Sequence, residues 1–141
     1  MTGVVLKALV VDDEALARAR MRTLLGDCKN PAVHCVGEAS NAVQAMEILQ
    51  HKPVDVALLD IHMPGADGLA LAQSLQSLPQ PPALIFVTAH VEHAVRAFDL
   101  EAVDYLTKPV RLERLQLALQ KVERYIQSRR GLEANLAQED V

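Results

Sequence analysis

The most informative stretch of the chain is VDVALLDIHMPGADG, at residues 54–68. Its first half is apolar at almost every position, which is typical of a strand buried on both faces of a parallel sheet. The run ends in Asp60 and is followed by proline and glycine residues, which favour a turn. We therefore predict a central strand over residues 54–60 with a carboxylate at its carboxyl end.

Four other short runs of apolar residues alternate with segments of helical periodicity. These predicted strands cover residues 6–11, 33–39, 83–88 and 104–107. Such alternation is the signature of βαβ units, whose strands form a parallel sheet with helices on both faces. The sequence thus predicts an α/β fold with five strands and five helices.

The last two predicted helices differ in character. The fourth is marked by apolar residues at helical spacing, namely Val91, Ala94, Val95 and Phe98. The fifth begins near Arg111 and carries a heptad pattern, formed by Leu112, Leu115, Leu119, Val122 and Ile126. Packing on the sheet and a short coiled-coil seam both explain that pattern. From Ser128 the pattern lapses and Gly131 interrupts it, so we expect a frayed tail or a linker there.

Composition narrows the class of protein. The chain has 141 residues, which fits one domain, and its net charge of -4 argues against nucleic-acid binding by this segment alone. Residues 111–130 are locally basic, a pattern that a solvated helix face explains. No uncharged apolar run approaches the roughly 18 residues of a membrane span, so we expect a cytoplasmic protein without membrane contact. Cys28 and Cys35 are expected to be reduced thiols.

Polar residues close each of the predicted strands except the second. They are Asp12, Asp13 and Glu14, then Asp60, then Thr88, and finally Lys108 with Pro109. Because the carboxyl ends of parallel strands share one edge of a sheet, these side chains are expected to meet. Clustered carboxylates require a compensating cation, for which Mg²⁺ is suited by its preference for oxygen ligands. A carboxylate can also act as a phosphoryl-accepting nucleophile when positive charge neutralises the transferring oxygens.

Four motifs at these strand ends resemble the signature of response-regulator receiver domains of two-component systems. The motifs are DDE at 12–14, DIHMPGADG at 60–68, TA at 88–89 and DYLTKP at 104–109, and the similarity covers about residues 6–126. The resemblance implies a flavodoxin-like (βα)5 fold, doubly wound, with a five-stranded parallel sheet in the order 2-1-3-4-5. It also implies a signalling protein, phosphorylated by a cognate sensor histidine kinase with Mg²⁺ as cofactor, and not a metabolic enzyme.

The resemblance assigns roles to the acidic residues. Asp60 would be the phosphoacceptor. Asp13 would be the direct carboxylate ligand of Mg²⁺, and Asp12 would contribute largely through water. The backbone carbonyl of His62 would complete the protein ligands.

Further roles follow from the same resemblance. Lys108 would pair with the phosphoryl oxygens, Thr88 would hydrogen-bond them, and the small Ala89 would leave their path open. Tyr105 occupies the position of an aromatic switch that turns inward as the threonine moves; its other interpretation is a half-buried strand aromatic. The bond before Pro109 matches one that is cis in the family. The family's turn beside the acceptor is matched by Met63, Pro64, Gly65 and Gly68.

His62 and His90 depart from the commonest family pattern. The first lies two residues beyond the acceptor and the second two beyond Thr88. We hypothesise that the two imidazoles flank the path of the hydrolytic water and set the lifetime of the phosphoryl group. The alternative is two exposed side chains without kinetic effect.

The stretch AFDLEAVDYLTKP at residues 97–109 is similar to the receivers of LytR/AlgR-type regulators. Such regulators carry a LytTR DNA-binding domain after the receiver, so DNA would be contacted only through that absent effector domain, for transcription regulation. A phosphorylation-dependent homodimer through the fourth helix, fifth strand and fifth helix is the output that the resemblance implies. We expect a receiver at residues 1–126 and a helix end with a tail or linker at 127–141.

Other interpretations remain open at this point. The chain is either the receiver of a longer regulator or a stand-alone receiver that acts through protein contacts, and a pseudo-receiver that is never phosphorylated is a further option. Phosphatases of the haloacid dehalogenase type need a second carboxylate where this chain has His62. Kinase docking is expected on the first helix, around Ala15, Arg18, Ala19 and Arg22.

Overall fold

The computed structural model describes residues 5–63, 66–89 and 99–139. Within these ranges the strands are β1 (Val5–Val11), β2 (Ala32–Ala39), β3 (Val56–Leu59), β4 (His62–Met63), β5 (Ala66–Asp67), β6 (Ala83–Thr88) and β7 (Asp104–Thr107). The five longer strands form one parallel sheet in the order β2-β1-β3-β6-β7. This is the predicted 2-1-3-4-5 order once the two short strands are left out of the count.

The short strands β4 and β5 were not predicted. They form a separate antiparallel ribbon in which His62 pairs with Asp67 and Met63 with Ala66. Strands of two residues are too short to produce an alternating pattern in the sequence. The central strand is also shorter than predicted, because β3 begins at Val56 and ends one residue before Asp60.

The two central strands, β3 and β6, are buried at every position. Alternate residues point to opposite faces, so Leu58 and Ile85 belong to one hydrophobic cluster while Leu59 and Phe86 belong to the other. Each face is covered, as expected for a parallel sheet. The residues that follow these strands are therefore held at the edge of a closely packed core.

Helices cover the two faces of the sheet. The structure gives α1 (Ala15–Asp27), α2 (Ala42–His51), α3 (Gly68–Gln76) and a C-terminal helix (Leu112–Glu139). The predicted fourth helix falls at residues 91–98, outside the described residues. None of the helices in the described ranges is both long and apolar enough to cross a membrane.

The C-terminal helix corrects one prediction. Its heptad residues Leu115, Leu119, Val122 and Ile126 are buried on the sheet, which supports packing as the reason for their spacing. The helix does not fray at Ser128 but continues through Gly131 to Glu139. A glycine inside a helix costs about 1 kcal/mol relative to alanine, which is too little to end a helix whose earlier turns are anchored by packing.

Asp104 attaches the C-terminal helix to β7. Its carboxylate accepts hydrogen bonds from both terminal nitrogens of Arg114, at 2.7 and 2.8 Å, and from Nζ of Lys121 at 3.2 Å. Burial acts to raise the pKa of Asp104, but the hydrogen bonds from Arg114, from the N–H of Tyr105 and from Lys121 outweigh it, so the pKa lies below its usual 3.8. The ionised carboxylate therefore stabilises the fold.

We expect Asp104→Asn to lower the free energy of unfolding by about 1 kcal/mol at pH 7, because the side chains of its cationic partners are 43% and 46% exposed and the interaction is screened by solvent. A carboxylate with a lowered pKa contributes its stability above its unfolded pKa and loses it as the pH falls through the folded pKa. The difference between wild type and variant should thus shrink below pH 3.8. Urea unfolding at several pH values measures it, with the exposed Asp99→Asn as the matched control. A difference that does not change with pH would contradict this assignment.

Candidate functional site

Three buried polar side chains lie at the carboxyl edge of the sheet. Among the described residues, Asp12, Asp60 and Thr88 are the polar or charged residues that are buried, with 5%, 6% and 0% of their surface exposed. Asp12 follows β1, Asp60 follows β3 and Thr88 ends β6, and these three strands are neighbours. Because burying a charge is costly unless it is paired, the two carboxylates at this edge require a specific explanation.

Lys108 supplies a compensating charge from the end of β7. Its Nζ donates to Oδ2 of Asp12 at 2.7 Å and to Oδ2 of Asp60 at 3.0 Å. Partial burial acts to lower the pKa of this lysine, but the two hydrogen bonds and the nearby negative charges outweigh it and raise the pKa above its usual 10.5. Lys108 is therefore a charged bridge between the two aspartates at neutral pH.

Asp60 is held by backbone contacts on both sides. Its N–H donates to the carbonyl of Val11 at 3.0 Å, and its Oδ1 accepts from the N–H of His62 at 3.1 Å. Gly68 begins α3 directly behind it, and its N–H donates to the carbonyl of Ile61 at 3.0 Å. A Cβ at position 68 would lie 2.2 Å from the carbonyl oxygen of Asp60. Glycine at this position therefore allows the helix to start against the aspartate.

Asp13 completes an acidic cluster with Asp12 and Asp60. One carboxylate oxygen of each residue lies within 4.8 Å of the others. Asp13 is only partly buried, so the cluster opens to solvent on its side. Lys108 balances one of the three negative charges, and the remaining donors are hard oxygen ligands of the kind that Mg²⁺ prefers. The residues present therefore fit the cofactor that the resemblance implies.

Comparison with known families agrees with this geometry. The family model described as the response regulator receiver domain matches residues 8–120. The chain belongs to the receiver-domain family. It is a signalling domain of a two-component response regulator.

Curated relatives place this receiver near LytR-type regulators. It is 40% identical over 121 residues to the sensory transduction protein LytR of Staphylococcus haemolyticus, covering 86% of this chain and 46% of that protein. It is 46% identical over 119 residues to the positive alginate biosynthesis regulatory protein of Pseudomonas aeruginosa, covering 84% of this chain and 48% of that protein. The chain thus spans about half the length of these relatives.

Solved structures confirm the receiver fold. The response regulatory domain of MrkE from Klebsiella pneumoniae matches with a TM-score of 0.77 and 36% identity, over 87% of this chain and 99% of that chain. The receiver domain of an HD domain-containing protein from Pseudomonas fluorescens also matches with a TM-score of 0.77, at 27% identity. The predicted flavodoxin-like architecture and the predicted resemblance are both confirmed.

Thr88 and Tyr105, the two predicted switch residues of the receiver, lie on neighbouring strands. Thr88 is fully buried, and its carbonyl accepts from the N–H of Lys108 at 2.9 Å. Tyr105 is partly buried and packs against the cluster that contains Phe86, its partner in the strand register. Ala89 is exposed beyond the end of β6. These positions are compatible with the assigned roles, which stay predictions.

Other predicted residues have mixed outcomes. The bond between Lys108 and Pro109 is cis, as predicted, and a second cis bond before Pro31 was not predicted. His62 is exposed, and its N–H contacts Asp60; a metal-binding role of its carbonyl stays a prediction. Pro64, Gly65 and His90 lie outside the described residues, so the two-imidazole hypothesis also stays a prediction.

Arg18, which is predicted to lie on the kinase-docking helix, also contacts the site. Its NH1 atom donates to the carbonyl oxygen of Asp12 at 2.7 Å. Arg18 and Asp12 are six residues apart, a spacing that does not by itself predict a contact. Whether the two residues meet depends on the angle between β1 and α1. The signal that the sequence contains is a basic residue at the fourth position of a helix that follows an acidic pair.

Proposed function

We propose that this receiver accepts a phosphoryl group on Asp60 from a cognate sensor histidine kinase. The observation that supports it most is a buried carboxylate, hydrogen-bonded to a lysine ammonium ion, beside two more carboxylates. Mg²⁺ would be held by Asp12, Asp13, Asp60 and the carbonyl oxygen of His62. When bound, the ion would neutralise negative charge on the phosphoryl oxygens.

The residues of the chain would carry the transfer. A carboxylate oxygen of Asp60 forms a bond to phosphorus while the bond between phosphorus and the donor's imidazole nitrogen breaks, and the electron pair stays on that nitrogen. Lys108 would stabilise the negative charge on the phosphoryl oxygens, because its Nζ already lies 3.0 Å from Oδ2 of Asp60. The small side chain of Ala89 leaves space for the incoming group. Preorganised charge of this kind is the main source of catalysis in phosphoryl transfer.

The output would be a shift between two arrangements of the switch residues. The Thr88 hydroxyl would bond a phosphoryl oxygen, and the Tyr105 ring would then occupy its inward position more often. The change would favour a homodimer through the predicted fourth helix, β7 and the C-terminal helix. In a longer, cytoplasmic protein it would control a LytTR-type DNA-binding domain and so transcription. A stand-alone receiver or a pseudo-receiver that acts through protein contacts is the alternative.

Intact-mass spectrometry after incubation with acetyl phosphate and Mg²⁺ tests the proposal. We expect wild type to gain the mass of one phosphoryl group and Asp60→Asn to gain none, because an amide is not a nucleophile of this kind. Chelation of Mg²⁺ with EDTA should prevent the adduct. Asp55 lies at the other end of β3, so Asp55→Asn is the control and should still gain the phosphoryl adduct.

Size-exclusion chromatography of the same samples tests the output. A shift toward dimer with the adduct would support the homodimer. An adduct without a shift would assign the output to another domain or a partner. Absence of the adduct in wild type would contradict the proposed function and favour the pseudo-receiver.

A further inference from the structure

Arg18 links the acidic pair to the neighbouring edge strand. Its NH1 atom donates to the carbonyl oxygen of Asp12 at 2.7 Å, and its Nε lies 3.6 Å from Oε1 of Glu38 on β2. The arginine side chain is only 21% exposed, and that of Glu38 is 27% exposed. A single guanidinium thus contacts both the end of β1 and the end of β2.

The carbonyl that Arg18 contacts belongs to the peptide unit between Asp12 and Asp13. The other polar atoms of Asp12 are also engaged: its N–H donates to the carbonyl of Ala39 at 3.0 Å, Oδ1 accepts from the N–H of Glu14 at 3.0 Å, and Oδ2 accepts from Lys108. These contacts fix Asp12 itself. The orientation of the next residue, Asp13, depends on the peptide plane whose oxygen Arg18 holds.

Glu38 fixes Arg18 in turn. It also pairs with Arg22, one helical turn further along α1, through its second carboxylate oxygen. Arg22 is 56% exposed and makes no contact with the acidic cluster in the described structure. The three side chains form a short chain of contacts in which only Arg18 touches the backbone of the acidic pair.

We propose that Arg18 is a positioning residue for the acidic pair, which it holds in an orientation that binds a divalent cation; this inference rests on the proposed function. Two effects of the arginine compete. Its positive charge repels a cation, and Glu38 offsets only part of that repulsion because it also pairs with Arg22. Its hydrogen bond fixes the Asp12–Asp13 peptide, and we expect this positioning to outweigh the repulsion that remains. Residues that orient metal ligands are typically worth about 10 to 100-fold in metal affinity.

Isothermal titration with MgCl2 tests this inference on the folded chain. We expect Arg18→Met to weaken Mg²⁺ binding about 10-fold relative to wild type. Arg18→Lys retains the charge but lacks the planar fork, so it should recover only part of the affinity. Glu38→Gln should weaken binding by a smaller factor, because the hydrogen bond to Asp12 remains. Arg22→Met is the matched control and should bind like wild type.

Thermal unfolding in EDTA separates positioning from a structural role. A purely structural role would lower the unfolding temperature of Arg18→Met while the folded protein kept wild-type Mg²⁺ affinity, and that result would overturn the inference. Tighter binding by Arg18→Met would also overturn it, since it would mean that repulsion dominates. If Arg18→Met does not fold, Glu38→Gln decides: unchanged affinity counts against the inference. Wild type that binds no Mg²⁺ would overturn the metal site and this inference together.

Discussion

Lys108→Met is expected to destabilise the fold and to prevent efficient phosphorylation. The substitution leaves the buried Asp12 and Asp60 carboxylates facing each other without the ammonium ion that bridges them. Removing one partner of a buried ion pair costs about 3 to 5 kcal/mol, and the partial exposure of this lysine reduces our expectation to about 2 to 4 kcal/mol at pH 7. The substitution should also slow phosphorylation, because it removes the ammonium ion that would pair with the phosphoryl oxygens.

Urea unfolding with and without MgCl2 measures the first effect. A divalent cation at the acidic cluster would replace part of the lost charge, so Mg²⁺ should stabilise Lys108→Met more than wild type. Lys52→Met is the matched control, because its Nζ donates to the backbone carbonyl of Val36 rather than to the acidic cluster. Equal stability of Lys108→Met and wild type without Mg²⁺ would contradict the bridging role.

Gly68→Ala is expected to displace the phosphoacceptor. The added Cβ would lie 2.2 Å from the carbonyl oxygen of Asp60 and 2.8 Å from Cα of Ile61, both backbone atoms that cannot rotate away. Either α3 or the segment after β3 must move. Overpacking of this kind costs about 1 to 3 kcal/mol, and the displaced carboxylate should accept a phosphoryl group more slowly.

Gly26→Ala provides the control for this prediction. Position 26 is helical, and nothing lies within 4 Å of a Cβ built there, so alanine should be neutral or stabilising by up to about 1 kcal/mol. The rate of adduct formation with acetyl phosphate should fall in Gly68→Ala and stay unchanged in Gly26→Ala. Equal rates and stabilities in the two variants would contradict the close approach.

Much of the fold was predictable because its signals are local. Strands β6 and β7 were predicted with their observed bounds, since each is a short run closed by a polar residue at the end of the sheet. The ribbon of β4 and β5 was missed because two-residue strands carry no periodicity. The extension of the C-terminal helix past Gly131 was missed. The helix is stabilised by packing of its earlier turns on the sheet, and the residues around Gly131 carry no sign of that stabilisation.

The sequence was sufficient to predict which residues form the candidate site, but not which hydrogen bonds they make. The rule that parallel strands end at one edge was sufficient to group Asp12, Asp60, Thr88 and Lys108. The bridging of two aspartates by Lys108 depends on side-chain rotamers and therefore required coordinates. The same holds for Arg18, whose contact with the acidic pair depends on the angle at which α1 leaves the sheet.

Asp60 itself is expected to carry the phosphoryl group, and locating the modified residue tests this without further assumptions. Borohydride reduces an aspartyl phosphate to homoserine, which peptide mass spectrometry can assign to a position. After treatment with acetyl phosphate and Mg²⁺, we predict homoserine at position 60 and unmodified aspartate at positions 12 and 13. Homoserine at another aspartate, or at none, would mean that Asp60 is not the phosphoacceptor.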